Sequence, residues 1–318
     1  METSTPCDLC SENDFTAIAS LDRHNKPLDT VVCNSCGLVR HADVPSESKL
    51  AEFYSGSYRE EYNGEKTPGP RRVMRAWVNG QRICDQIGSA IPSGARVLEV
   101  GAGIGCTVKV FEKAGFQAEG IDPGGEFLKY SRDKLHTSVR VCNLYDLPQD
   151  QQFDAVLLVH VIEHLRSPVT ALKHIAGLLK PDGMFYVECP NLQAPFASRS
   201  RLFHYAHIHN YVPATLEQTG QAAGFQLRKQ FGDRNDTNLQ MLFQKSDNVT
   251  LKTDPMTAQQ TLQDLKRSDF LPYHMRARYI TDRTRKVASY AKEHLRAKDF
   301  VANLIEGCSE SDPASRAA

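Results

Sequence analysis

Residues Val97-Leu98-Glu99-Val100-Gly101-Ala102-Gly103-Ile104-Gly105 decide the fold of this 318-residue chain. An apolar run from Arg96 to Val100 reads as a strand, and it empties into three glycines at alternate positions. Glycine there lets the backbone turn sharply and lets a ligand come close where any Cβ would clash. A second apolar run, Phe116 to Ile121, delivers Asp122, whose carboxylate can accept hydrogen bonds from two ribose hydroxyls. The pattern is a strand, a turn and a second strand end arranged around a nucleoside.

Details of the loop narrow the nucleoside. A dinucleotide fingerprint reads G-x-G-x-x-G, but Cys106 stands in the place of the third glycine and no second nucleotide-binding βαβ half is evident, which argues against NAD. Glu99, two residues before the first glycine, is awkward beside a pyrophosphate and suits a ligand carrying an ammonium and a sulfonium. S-adenosylmethionine is the cofactor that matches.

From about Val97 to Phe243 the chain resembles the class I S-adenosylmethionine-dependent methyltransferases. The glycine loop is similar to the family's first motif and Gly120-Ile121-Asp122-Pro123 to its second. Cys142 to Pro148 resembles the adenine-contacting segment, Phe153 to Leu165 the fourth strand with its following turn, and Lys180 to Asn191 the fifth strand. The resemblance implies that Glu99, Gly101, Ala102, Gly103, Gly105, Asp122, Asn143, Leu144 and His160 contact the cofactor. Asn143 occupies the place of a usual acidic residue, so its amide oxygen would meet the adenine amino group, and His160 would lie beside the methionine part.

Lysine plus arginine balances aspartate plus glutamate at a formal net charge of zero, so neither nucleic acid nor an anionic membrane is expected as a partner. No apolar run approaches the roughly 18 residues of a membrane span, and Met1-Glu2-Thr3-Ser4-Thr5-Pro6 lacks the order of a signal peptide. A cytoplasmic protein is the expectation. Of nine cysteines, four form the pairs Cys7-x-x-Cys10 and Cys33-x-x-Cys36, a spacing that brings four thiolates around a structural zinc ion. A redox pair is the alternative, but that motif needs a neighbouring βαβ pattern. The other five cysteines read as small apolar fillers.

The expected organisation is α/β: a zinc-ribbon-like module over 1–45, a helical lid or linker over 46–94, a methyltransferase core over 95–246, a helical extension over 247–308 and a disordered tail over 309–318. Alternating apolar and helical runs predict a parallel sheet with helices on both faces, with strands near 96–100, 117–121, 139–142, 154–159 and 184–189. By family analogy, Phe225 to Phe231 and Leu239 to Lys245 close it as an antiparallel pair, giving a Rossmann-like seven-stranded sheet. Tyr54, Tyr58 and Tyr62 share one helical face, either packed on the core or serving as a lid over the cofactor. The C-terminal helices, with interleaved acids and bases, would pack on the core or on a partner subunit of a homo-oligomer.

Methyl transfer from a sulfonium is an in-line displacement, and a base is needed only when the acceptor is a hydroxyl or an acidic carbon. His160, Glu163 and His164 follow the fourth strand, and Glu163-His164 either acts there or braces the neighbouring helix. His204-Tyr205-Ala206-His207-Ile208-His209-Asn210-Tyr211 reads as a loop, and it resembles a segment that in relatives borders the acceptor pocket. His207, His209 and His164 are the candidate catalytic residues, with metal chelation by the histidines disfavoured because no acidic residue accompanies them locally. Arg199 and Arg201 could grip an acceptor phosphate or carboxylate. A zinc module ahead of such a core resembles the nucleotide-sugar C-methyltransferases, but their Glu-His pair would fall at Ile208-His209, which lacks the glutamate. O-methylation of a small molecule, a sugar or glycan precursor, is therefore the expected activity. C-methylation and an RNA or protein acceptor recognised by the ribbon are the alternatives.

Overall fold

The computed structural model describes residues 5–55, 67–150 and 152–309. Tyr58, Tyr62 and 310–318 of the expected lid and tail lie outside the described residues. In chain order the strands are β1 Phe15–Leu21, β2 Pro27–Cys33, β3 Val39–His41, β4 Arg96–Val100, β5 Gln117–Asp122, β6 Val139–Val141, β7 Phe153–Val159, β8 Leu179–Pro190, β9 His209–Asn210, β10 Phe225–Phe231 and β11 Asn238–Lys245. They form a seven-stranded mixed sheet, β10-β11-β8-β7-β4-β5-β6, and a four-stranded sheet, β1-β2-β3-β9. The α/β methyltransferase sheet expected from the sequence is present. The chain divides into two compact units, Met1–Leu50 with Leu158–Tyr279 and Ala51–Leu157 with Ile280–Ala318.

In the second of these units β4, β5 and β6 run parallel, with Val97 opposite Ala118, Val100 opposite Ile121 and Gly120 opposite Val139. Helix α2 (Pro70–Ile87) starts on a proline, whose missing N–H costs nothing at a helix start. It buries Val73, Trp77, Gly80, Ile83 and Ile87, a spacing of three and four that puts them on one face. A Cβ on Gly80 would lie 2.9 Å from the Cα of Thr107 in α3 (Cys106–Lys113), so glycine sets how closely those helices approach. Val73, Trp77, Ile104, Cys106 and Leu135, the last from α4 (Glu126–Leu135), share a core with Val301 and Cys308. Those two residues belong to α9 (Tyr279–Ser309), whose buried residues, Ala297, Val301 and Cys308, lie in its C-terminal half.

In the first unit β8 pairs antiparallel with β11, Val187 opposite Met241, and β11 with β10, Leu227 opposite Phe243. Helices α5 (Pro168–Leu178), α6 (Pro213–Ala222), α7 (Pro255–Lys266) and α8 (Phe270–Met275) belong to it, together with the N-terminal α1 (Glu47–Ser55) up to Leu50. The four-stranded sheet corrects the expected loop over 204–211: His209 and Asn210 form β9, with His209 opposite Arg40 of β3. The edge of β3 is buried, and unpaired N–H and C=O groups there would be costly, so the chain returns to pair with them. Asp8, inside the first cysteine knuckle, accepts hydrogen bonds from the Ser167 hydroxyl (2.5 Å) and the Val169 amide (2.9 Å), which caps α5. No helix of the described residues is long and apolar enough to cross a membrane.

Candidate active site

Gly101, Gly103 and Gly105 have φ of +77°, +49° and +76°. These are left-handed values that a side chain would make costly. The Gly101 and Ala102 amides both donate to the Ile121 carbonyl, at 2.8 and 3.0 Å, which fastens the loop to the end of β5. A Cβ on Gly105 would lie 2.0 Å from the Ser131 hydroxyl oxygen, so that position is closed sterically as well. Asp122, 6% exposed, accepts from the Gly103 amide at 3.1 Å through one carboxylate oxygen and from the Gly124 amide at 3.0 Å through the other. The two amides fix the direction of the carboxylate beside the glycine loop.

Glu99 is buried, and its Oε2 has no hydrogen-bond partner among the described residues. Burial pushes its carboxyl up to about 8, with the Asp122 charge adding and the Thr107 and Val108 hydrogen bonds opposing. A carboxylate oxygen left without a partner beneath a glycine loop complements a cationic ligand. The residues thus fit S-adenosylmethionine, whose ammonium and sulfonium supply positive charge. Asn143 donates its Nδ2 to Asp146 at 3.1 Å, leaving Oδ1 as the acceptor that an adenine amino group needs. Leu144 is buried at the start of the short turn that follows.

In the other unit, His160 takes a left-handed φ of +55° at the end of β7, a strained conformation for a non-glycine residue. Its Nδ1 lies 3.4 Å from Glu163 Oε1 and its Nε2 3.8 Å from Glu188 Oε1. Glu188 is buried and also accepts from Asn238 (2.7 Å) and from the Tyr186 hydroxyl (3.2 Å). Glu163, 1% exposed, is 4.0 Å through Oε1 from Nε2 of both His164 and His207. The His164 Nδ1–H donates to the Ala206 carbonyl at 2.7 Å, which turns the Nε2 lone pair toward Glu163. The His207 ring stands edge-on to His164, with centroids 4.9 Å apart, and 3.7 Å from that of His204. Burial holds His164 below the usual histidine range against the pull of Glu163, and holds His207 well below it, helped by its histidine neighbours. Burial opposes ionisation of Glu163, yet the His160 hydrogen bond and the nearby His164 keep its carboxyl lowered.

No acidic residue stands beside the 204–211 histidines in the sequence, but Glu163 reaches His164 and His207 in space from the turn after β7. Two of the 204–211 histidines sit in the core rather than on an open loop. His204 and His209 are 5% and 1% exposed. The His209 Nδ1 lies 3.1 Å from the Leu165 carbonyl, and burial pushes its pKa down to about 3. Arg199 is a strut, ion-paired with Asp269 at 3.2 Å and donating to the Ile18 carbonyl at 3.0 Å. Glu188 and Asn238 were missed as site residues; a lone glutamate in the apolar run Tyr186-Val187-Glu188-Cys189 was the available signal.

The sulfurs of Cys7, Cys10, Cys33 and Cys36 lie within 4.8 Å of one another, with Cys7–Cys36 at 3.6 Å and Cys10–Cys33 at 3.5 Å. Tetrahedral zinc with bonds of about 2.3 Å needs sulfurs about 3.7 Å apart, so the set fits the ion. Arg40, fully buried nearby, donates to the carbonyls of Thr5, His41 and Ala42 and lies over the Phe15 ring at 4.4 Å. Its charge interacts with Cys7 and Cys33, as a counter-ion to thiolates should.

Residues 74–230 match the family model described as a methyltransferase domain. Over 132 residues the chain is 35% identical to a ubiquinone biosynthesis O-methyltransferase of Xanthomonas campestris pv. campestris (strain B100), covering 39% of this chain and 54% of that one. A protein of the same name from Xylella fastidiosa (strain 9a5c) is 32% identical over 151 residues, covering 45% and 58%. The chain therefore spans little more than half the length of these curated relatives. The fold is similar to that of Burkholderia thailandensis 1,6-didemethyltoxoflavin-N1-methyltransferase, solved with its acceptor and S-adenosylhomocysteine, at TM-score 0.50 and 20% identity over 66% of this chain and 96% of that one. The stretch 74–230 is thus similar to methyltransferase domains.

Proposed function

We propose that this chain moves the methyl group of S-adenosylmethionine to a hydroxyl of a small molecule. The observation that carries the reading is the buried, unpartnered Glu99 oxygen beneath a glycine loop, with the Asp122 carboxylate fixed beside that loop by the Gly103 and Gly124 amides. When bound, the cofactor supplies an electrophilic methyl carbon. Asp122 takes the ribose hydroxyls, Glu99 the positive end, Asn143 and Leu144 the adenine, and Gly101, Ala102, Gly103 and Gly105 let the backbone close on the ligand. His160 is assigned to the methionine part by family resemblance.

Hydroxyl transfer is supported by the curated relatives named as O-methyltransferases. A hydroxyl must lose its proton as the methyl arrives. We assign that task to the Glu163, His164 and His207 cluster, while His209, set in β9, holds Leu165 in place. The four cysteines hold a structural zinc ion, and Asp8 passes its rigidity to α5. A sugar or glycan precursor stays the first acceptor class to screen, with hydroxylated aromatics second on the strength of the relatives' name, and we place the enzyme in the cytoplasm.

Calorimetry with S-adenosylhomocysteine tests the cofactor, and mass spectrometry of acceptor mixtures tests the chemistry by the gain of one methylene on oxygen. Failure to retain either form of the cofactor would remove the assignment, and methylation at nitrogen or carbon would remove the hydroxyl.

A further inference from the structure

Glu163, His164 and His207 place a carboxylate oxygen and two imidazole nitrogens within 4.8 Å of one another. Two separate segments supply them, the turn after β7 and the stretch before β9. We propose that these three side chains form a second metal site, independent of the cysteines, that takes a divalent first-row cation and leaves coordination positions open for an oxygen ligand.

The distances favour an ion over a hydrogen-bonded cluster. Both Nε2 atoms stand 4.0 Å from Glu163 Oε1, beyond hydrogen-bond reach. Ligand bonds of about 2.0 to 2.2 Å bring neighbouring donors to about 3 to 3.5 Å, so a small inward rotation of each side chain would close on a cation. The second carboxylate oxygen is buried without a partner among the described residues. The buried carboxylate has one long hydrogen bond, from His160 Nδ1 at 3.4 Å to Oε1, which leaves Oε2 unsatisfied, and a doubly charged ion supplies what is missing.

The surroundings are those of a ligand set. The His164 Nδ1–H donates to the Ala206 carbonyl, the outer hydrogen bond that fixes tautomer and ring orientation in metal-bound histidines. His207 is held between the His164 and His204 rings. Two imidazoles and a carboxylate suit manganese, iron or zinc in the divalent state, whereas the cysteine set selects thiophilic ions. A closed structural site uses four protein ligands; three leave room for water or an oxygen of a substrate. On the reading above of methyl transfer to a hydroxyl, and only on it, that oxygen is the acceptor's, the cation would lower the cost of its deprotonation, and the proton would pass to the uncoordinated Glu163 oxygen rather than to the coordinated histidines.

Cobalt is the probe, because its spectrum separates thiolate from nitrogen and oxygen ligation. The full chain is produced in cobalt-supplemented medium and its metal content measured alongside the absorption spectrum. About two cobalt ions per chain are expected, one with thiolate charge-transfer bands and one without. Glu163→Gln and His207→Gln should each retain about one, with the thiolate bands intact, while Cys36→Ser should lose those bands and keep the other centre. A single thiolate-bearing ion in the wild-type chain would overturn the proposal, as would a sulfur-free centre that survives both Glu163→Gln and His207→Gln. Should these variants fail to fold, the wild-type stoichiometry and spectrum decide alone. Calorimetry with S-adenosylhomocysteine is read separately, so a lost methyltransferase assignment leaves the metal result standing.

Discussion

Replacing Glu99 by glutamine removes an ionisable group from a buried position of β4, just before the glycine loop, while keeping the shape of the side chain. Burial raises the Glu99 carboxyl from 4.5 to about 8, so the folded chain holds a proton that the unfolded chain has released. Stability must therefore fall as pH rises through that window, in contrast to an ordinary salt-bridged carboxylate. At about 1.4 kcal/mol per unit the full effect is about 5 kcal/mol, of which about 3 kcal/mol falls between about pH 6 and pH 9. Urea unfolding of Glu99→Gln should lack this slope, and the variant should gain on the wild type as pH rises. Cofactor binding adds the opposite pull. A cation beside Glu99 favours the ionised form, so binding near neutral pH should release a proton from the wild-type chain and none from the variant. Calorimetry in two buffers of different ionisation enthalpy reads that proton directly. A stability difference that does not change with pH, together with buffer-independent binding heats in the wild type, would refute a neutral buried Glu99 and its role as the cation's partner.

Asp122→Ala should weaken S-adenosylhomocysteine binding by roughly 1 to 3 kcal/mol, by losing ribose contacts and by freeing the Gly103 and Gly124 amides, as titration calorimetry would show. Gly105→Ala puts a Cβ against the Ser131 hydroxyl at a φ of +76°, and should cost roughly 1 to 3 kcal/mol of stability, read as a lower urea midpoint; an unchanged midpoint would mean the loop accommodates a side chain there. Removing metal from the four cysteines with a chelator should speed amide exchange at the start of α5 and in β9, because Asp8 caps the one and β3 pairs with the other. Faster exchange confined to 1–45 would show that the module is not coupled to either.

Much of this protein is legible in the residues themselves. The strand ending at Val100, the left-handed glycines and the acid closing β5 follow from local rules: apolar runs make buried parallel strands, and only glycine turns tightly beside a ligand. The cysteine pairs are equally local, since two knuckles of fixed spacing need only meet once. Tertiary structure decided what depended on separate segments coming together. Glu163 meets His207 only because β9 returns to pair with β3, which places His209 in a strand and turns an apparent histidine loop into a largely buried cluster with an acid in it. Glu99 shows the same division from the other side. Its position before the glycines announced a negative group, but its protonation depends on the helix and strands that exclude water from it, and such exclusion is a property of packing that no spacing of residues encodes.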